Sequence, residues 1–320
     1  MRLKEIKNCA CLGTGTIGAS FATNFALKGL HVNLYSPIAE SVEQAKKDIA
    51  DNLSHLVRKN VITAAVAEKA QQACYFTGDI KEAVSDVQFI QECGPETNEL
   101  KQEIIAEVEK YVAADTIIAS STSGLLISEI AKYAKHPERI VGGHPFNPPH
   151  LVPLVEVCKG EKTSPEVVQR AYDFYKKLGK VPVIVKKEVS GFIANRLQTA
   201  LYREVQDLVC RGVCSVEDVD KALTFGPGIR WGIMGANMIF HLGSPNGIKA
   251  LSKALKVSSD MKLKDIADWK ESPADWPDIA QAGVEAAMAN YPKEIGTTVE
   301  EIKKFRDDML VEMLKLHRLL

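Results

Sequence analysis

Residues 6–29 read IKNCACLGTGTIGASFATNFALKG. The run Ile6–Leu12 is short and apolar enough to be a buried strand, and the stretch after Gly18 is made of residues that suit a helix laid against a sheet. Between them lies GTGTIG, with Gly13, Gly15 and Gly18. A G-x-G-x-x-G pattern alone carries little weight, but between a strand and a helix it predicts a βα turn that cradles a pyrophosphate. Each glycine has its own reason: Gly13 for the tight turn, Gly15 for close approach of backbone N–H groups to phosphate, Gly18 for close helix–strand packing. The helix N-terminus adds about half a positive charge toward the phosphates. The plainer alternative is a tight βα turn that binds nothing.

Working outward, short strand-like runs at Ile6–Leu12, His31–Tyr35, Ala73–Thr77, Val87–Glu92, Thr116–Ser120 and Ile140–His144 alternate with amphipathic stretches. Strands separated by helices argue for a parallel α/β sheet. The tract between Ala39 and Gln72 is too long for one crossover helix and reads as two. A further strand pair, Leu154–Cys158 and Val181–Val185, flanks a helix at Pro165–Leu178. After Lys187 the spacing of Ile193, Leu197, Leu201 and Val205 is helical and stays so. The expected fold class is therefore α/β: a Rossmann-like doubly wound sheet followed by an all-α C-terminal domain. The boundary falls in Lys186–Ser190, giving a dinucleotide-binding domain over 1–187 and a helical substrate and dimerisation domain over 188–320.

Composition excludes several classes. Of 320 residues, 40 are Lys or Arg and 41 Asp or Glu. Nucleic acid and anionic membranes call for a clustered basic excess that is missing here. No apolar stretch approaches the roughly 18 residues needed to span a bilayer, and the start MRLKEIKN reads as neither signal peptide nor anchor. The seven cysteines show no CxxC spacing; Cys9 and Cys11, on one face of a strand, read as small buried hydrophobes, which points to a reducing, cytoplasmic setting. His150, His241 and His317 match no ligand spacing, so no metal is expected.

After the second strand, where an acidic residue would hold the ribose 2′-hydroxyl, stands Ser36 in YSPIAES; Glu40 and Glu43 come later. No arginine follows directly to pair with a 2′-phosphate. NAD is the expected cofactor, with NADP left open by Ser36.

Three segments carry chemistry: SSTSG (120–124), GGHPFNPPHLVPLVEV (142–157) and GFIANR (191–196). Strand C-termini in an open α/β sheet face the ligand crevice, and His144 sits at such an end. Glu156 interrupts the apolar run LVPLVEV, where an acid is costly unless paired. An imidazole is a fitting partner: the carboxylate would fix its tautomer and stabilise the imidazolium formed on proton abstraction. A core histidine near an unrelated acid is the alternative.

The order GTGTIG, ECGPETNELK, SSTSG, HPFNP…LVEV and GFIANR resembles the 3-hydroxyacyl-CoA dehydrogenase family over most of the first 215 residues. The resemblance implies a Rossmann-like domain with a helical dimerisation domain, and hence a homodimer. It places His144 on the catalytic histidine, Glu156 on its paired glutamate, Ser123 on the serine that bonds the substrate oxygen and Asn195 on the active-site asparagine. Glu92 and Lys101 fall on positions lining the nicotinamide and its ribose; Thr16, Ile17 and Ser121 join them as expected cofactor contacts. The implied reaction moves the 3-hydroxyl proton to His144 and the C3 hydride to the nicotinamide. A related group of β-hydroxyacid dehydrogenases uses a lysine four residues before a helical asparagine; that position here is Gly191, which disfavours a lysine base.

The segment FGPGIRWGIMGANMIFHLG (225–243) is similar to the branch of the family that includes L-carnitine dehydrogenase and lambda-crystallin (L-gulonate 3-dehydrogenase), which act on free 3-hydroxy acids. Arg230 could grip a carboxylate through paired hydrogen bonds and Trp231 a quaternary ammonium through its ring face, or both could be interface residues. Phe240, Trp269 and Trp276 read as packing. The expectation is NAD-dependent oxidation of a small carnitine- or gulonate-like L-3-hydroxy acid. The alternatives are a short-chain 3-hydroxyacyl-CoA dehydrogenase and a non-catalytic NAD-binding structural or sensor protein.

Overall fold

The computed structural model describes residues 6–320. The chain forms two compact units, one running to Arg196 and including Leu310–Leu320, the other Leu197–Met309.

In the first unit, β1 (Asn8–Leu12), α1 (Thr16–Leu27), β2 (His31–Tyr35), α2 (Ala39–Arg58), α3 (Ala64–Gln72), β3 (Cys74–Thr77), α4 (Ile80–Val84), β4 (Phe89–Glu92), α5 (Asn98–Val108), β5 (Ile117–Ser120), α6 (Ile127–Ile130), β6 (Ile140–Pro145), β7 (Leu154–Lys159), α7 (Pro165–Lys177) and β8 (Val181–Val185) follow in order. Every strand expected from the sequence forms, within two residues at each end. The sheet order is β3-β2-β1-β4-β5-β6-β7-β8. The first six strands are parallel; β7 runs antiparallel to β6, and β8 parallel to β7. Strand order therefore reverses between β1 and β4, the switch point at which open α/β sheets bind ligands.

Both faces of the sheet are covered, so its central strands are buried throughout and carry near-continuous apolar runs. Cys9 and Cys11 pack with Phe21, Phe25, Phe89 and Phe174 on one face, while Ala10, Leu12, Ile90 and Ile118 pack on the other. Cys9 and Cys11 are fully buried, and burial pushes both thiols well above their usual range.

One polar group is buried among the aromatics. The Gln91 side chain accepts from the Tyr175 hydroxyl (2.6 Å) and donates to Ser121 Oγ (2.8 Å) and the Gly143 carbonyl (3.1 Å). It ties β4 to the residue just after β5 and to Gly143 within β6. Position 143 must be glycine, since a Cβ there would stand 2.0 Å from the Tyr175 hydroxyl oxygen.

The second unit is helical. It holds most of α8 (Ala194–Cys210), then α9 (Val216–Leu223), α10 (Ile229–Trp231), α11 (Ala236–Leu242), α12 (Gly247–Asp265), α13 (Trp276–Ala289) and the first part of α14 (Val299–Leu316). Its core gathers Val205, Val219 and Trp276, and the Trp269 ring N–H donates to Asp207. The last turns of α14 return to the first unit, where Val311 and Leu314 pack on Leu56 and Leu151. Among the described residues no helix is long and apolar enough to cross a membrane.

Candidate active site

The GTGTIG turn has the geometry its glycines predict. Gly13 adopts φ +112°, and a Cβ there would stand 2.5 Å from the Cys93 carbonyl oxygen; one on Gly18 would stand 1.9 Å from the Gly13 oxygen. The turn is thus pressed between β4 and the first turn of α1. Gly15 has nothing within 4 Å of a would-be Cβ. Gly15 and Thr16 are exposed and Ile17 is half-buried. Gly15 caps α1 with no side-chain hydrogen bond, and the first turn holds no acid, so the backbone N–H groups and positive end of α1 fit a pyrophosphate.

At the end of β2, Ser36 is buried and its hydroxyl accepts the Ile38 N–H (3.2 Å). It lines a cleft with Glu40, Glu43, Lys46, Lys47 and Phe76. The turn after β2 and the first helical turns bring Glu40 and Glu43 beside Ser36, closer than their sequence separation suggests.

Glu92, at the end of β4, is fully buried. Its oxygens accept from Lys101 Nζ (2.9 Å to each), Ser120 Oγ (2.5 Å) and the Gly94 N–H (2.6 Å). A carboxylate offers about four acceptor positions, so Glu92 is saturated, and it anchors Lys101 and the Cys93–Gly94 turn beside Gly13. Ser121 is half-buried, its hydroxyl engaged by Gln91 and Cys93.

The SSTSG loop is organised by a residue that sequence reasoning missed. Glu96 Oε1 accepts from Thr122 Oγ1 (2.7 Å), the Ser123 N–H (2.7 Å), Ser123 Oγ (3.1 Å) and the Gly124 N–H (3.2 Å), while Oε2 lies 3.6 Å from Lys101 Nζ. Burial raises the carboxyl's affinity for a proton, but the Thr122 hydroxyl, the Ser123 N–H and hydroxyl and the Lys101 charge together hold it below its usual range. Glu96 lies inside the quoted ECGPETNELK; nothing local shows that it reaches a loop 27 residues on. Asn195, at the start of α8, donates through Nδ2 to the Ser123 carbonyl (3.1 Å).

His144 and Glu156 are directly opposed across the antiparallel β6–β7 pair, so their side chains share a face. His144 Nδ1 lies 2.8 Å from Glu156 Oε2, with Glu156 fully buried and His144 nearly so. Glu156 Oε1 accepts the N–H groups of Ile193 (2.8 Å) and Ala194 (2.9 Å), which open α8. Gly191 at φ +74° and Phe192 at φ +48° turn the chain so that these donors face the carboxylate. A left-handed non-glycine residue costs about 1–3 kcal/mol, here offset by complete burial of the Phe192 ring, which packs 5.6 Å from His144. Burial favours the neutral acid, yet the His144 bond, the two N–H groups and the imidazole charge keep the Glu156 carboxyl below its usual range. An ionised Glu156 accepts a hydrogen bond from the Nδ1–H of a neutral ring, which leaves the Nε2 lone pair as acceptor.

The site residues of the first unit thus gather at the C-terminal edge of β1, β4, β5 and β6. Arg230 and Trp231 are exposed on α10, in the second unit.

The chain is similar to known proteins over nearly its whole length. The model of the 3-hydroxyacyl-CoA dehydrogenase NAD binding domain matches residues 8–189, and that of the C-terminal domain matches residues 191–277. The chain is 37% identical over 315 residues to L-carnitine dehydrogenase of Pseudomonas sp, covering 98% of this chain and 94% of that one. It is 34% identical over 317 residues to L-carnitine dehydrogenase of Oceanobacillus iheyensis, covering 97% and 98%. A solved structure of 5-formyl-3-hydroxy-2-methylpyridine 4-carboxylic acid 5-dehydrogenase, described as an NAD+-dependent dismutase, superposes with a TM-score of 0.80 at 29% identity over 98% of each chain. With a glycine turn shaped for a dinucleotide, a histidine braced by a buried carboxylate and both domain models matched in sequence, the chain belongs to the 3-hydroxyacyl-CoA dehydrogenase family and is an NAD-dependent dehydrogenase.

Proposed function

We propose that the protein oxidises the 3-hydroxyl of a small free L-3-hydroxy acid of carnitine- or gulonate-like character to the 3-keto acid, with His144 as general base. The observation that carries this reading is the 2.8 Å contact between His144 Nδ1 and the buried Glu156 carboxylate at the crevice edge of the sheet. The substrate hydroxyl gives its proton to His144 Nε2 as the C3–H bond breaks and the carbonyl forms. Bound NAD+ supplies the hydride acceptor. Glu156 holds the ring in the accepting tautomer and stabilises the imidazolium. Ser123 and Asn195 hold the substrate oxygen; for this the Ser123 hydroxyl turns away from Glu96 while its N–H stays bound. Gly13, Gly15, Thr16, Ile17 and Gly18 cradle the pyrophosphate, Ser36 meets the adenosine ribose, and Glu92, Lys101 and Ser121 shape the nicotinamide end. Glu40 and Glu43 beside Ser36 are matched in the cleft by Lys46 and Lys47; NAD is preferred because no arginine directly follows Ser36 to pair with a 2′-phosphate.

The free-acid reading is supported by the three relatives named above, whose names give L-carnitine and a pyridine carboxylic acid derivative, while a similar 3-hydroxybutyryl-CoA dehydrogenase of Escherichia coli superposes with the lower TM-score of 0.70. Arg230 and Trp231 are assigned to the substrate carboxylate and a cationic or polar end group. NADH formation with L-carnitine, L-gulonate, L-3-hydroxybutyrate and L-3-hydroxybutyryl-CoA tests the reading. Turnover is expected on a free acid; turnover on the thioester alone overturns it, and tight NAD binding with no turnover at all would favour a sensor.

The same reading includes a homodimer formed through a helical domain over 188–320, which holds the compact unit Leu197–Met309. Phe225, Ile229, Ile233, Met238, Phe240 and Leu242 are exposed there, Phe225 by 74%. So large an apolar set on one unit marks an interaction surface. Light scattering of the purified protein should give twice the 35.1 kDa chain mass; a monomer at micromolar concentration refutes it. The seven cysteines are all free, which suits a cytoplasmic enzyme.

A further inference from the structure

The dinucleotide crevice uses the C-terminal edge of the sheet. The N-terminal edge carries a second cleft, lined by Lys7, Lys28, His31, Arg170, Lys177 and Asp173, with Leu30 and Phe174 among its apolar lining. The fold fixes these residues. Lys7 precedes β1, and its carbonyl accepts the His31 N–H (3.0 Å); Lys28 closes α1; Arg170 and Asp173 lie on α7, and Arg170 donates to the Asp115 carbonyl (3.3 Å).

Basic residues at helix ends commonly offset the helix dipole, so the charges must be weighed. The C-termini of α1 and α7 contribute about half a negative charge each, and Asp173 contributes one more. Against these and the carboxylate of Asp115, whose carbonyl Arg170 holds, the four cations Lys7, Lys28, Arg170 and Lys177 leave an excess of about one unit of charge. Lys180, which does not line the cleft, adds at most part of a charge near Lys28. It is buried, donates to the Pro149 and Val152 carbonyls, and its pKa is pushed down to about 7 by burial and then by the charge of Lys28. Lys28 Nζ would lie 3.4 Å from a Cβ on Gly179, the residue before Lys180. Among the described residues no carboxylate forms an ion pair with Lys7 or Lys28. The fold therefore holds like charges together around an open cleft with an apolar lining.

We propose that this cleft is a second anion site, separate from the dinucleotide loop, that takes a polyphosphate group. Lysines act as point charges around a multivalent anion, and the guanidinium of Arg170 adds paired donors. Free polyphosphate and a nucleoside triphosphate share this chemistry; Leu30 and Phe174 offer the latter an apolar surface.

The test is calorimetric titration of sodium tripolyphosphate into protein saturated with NADH, so that the glycine loop is filled. One further binding site is expected, with affinity that falls steeply as salt rises. The Lys28→Gln/Arg170→Gln variant should bind at least about tenfold more weakly per cation removed, with NADH affinity and kcat unchanged. Lys7→Gln, a surface change outside both helices, should weaken binding by a similar factor if the double variant is unstable. A parallel titration with ATP separates the sources: affinity above that of tripolyphosphate assigns the apolar lining to a nucleoside, and equal affinity assigns recognition to phosphate alone. Heat that disappears once NADH is saturating, or affinity unchanged in both variants, overturns the proposal.

Discussion

Replacing His144 by glutamine is expected to leave NADH binding within a few-fold of wild type and to remove nearly all turnover. His144 belongs to the C-terminal end of β6, not to the glycine turn at Gly13–Gly18. The cofactor cradle is thus untouched by the change. Glutamine can hydrogen-bond a hydroxyl but cannot take its proton at neutral pH. General base catalysis of this kind contributes about 10²–10⁴ in rate, and kcat should fall by that range. Fluorescence titration with NADH, alongside steady-state kinetics on the best substrate of the panel, measures both quantities. A near-wild-type kcat would remove His144 from the mechanism.

Glu156→Gln is expected to lower kcat almost as far, by about 10²-fold or more, although Glu156 need not touch the substrate. The amide can still accept from the Ile193 and Ala194 N–H groups, but its NH2 then faces His144 Nδ1. The ring must accept there and carry its proton on Nε2, the wrong tautomer for a base, and the imidazolium loses its counter-charge. The same change should cost about 1.5–3 kcal/mol of stability at neutral pH, the range for hydrogen bonds to a charged group.

Its pH dependence has a defined sign. The Glu156 carboxyl is held below its usual value in the folded protein. Its ionised form therefore contributes stability that is fully present above the unfolded pKa of about 4.3 and is lost as pH falls through the folded value. Guanidinium unfolding at pH 7 and at successively lower pH should show the wild-type advantage over Glu156→Gln shrinking in acid. An advantage independent of pH would mean that the carboxylate charge is not what holds the site together.

Much of the fold was legible in the residues. Buried parallel strands need short apolar runs, and all eight runs chosen on that basis form strands, because a sheet covered on both faces leaves little room for polar residues. The glycine turn was equally readable, since Gly13 and Gly18 answer to backbone contacts that no other residue tolerates. The return of Val311 and Leu314 to Leu56 and Leu151 was not readable: helical periodicity shows that a helix has an apolar face, not which surface will cover it.

The site divides along the same line. His144 and Glu156 stood out because an acid inside LVPLVEV requires a partner. Glu96 did not, because its ligands, Thr122, Ser123 and Gly124, come from the loop of another strand. Glu92 was recognised, but its saturation by Lys101, Ser120 and Gly94 was visible only once the strands were paired.

By itself the sequence determined the order of strands and helices, the phosphate-binding turn and the identity of the histidine and its acid, since each depends on local residue chemistry or on a burial cost that one segment alone reveals. Tertiary structure decided that β7 runs against β6, that Glu156 also caps α8, and that cations before β1, after α1 and on α7 meet at one cleft. Those facts depend on distances between segments remote along the chain, and such distances are set by how the whole sheet buries its two faces.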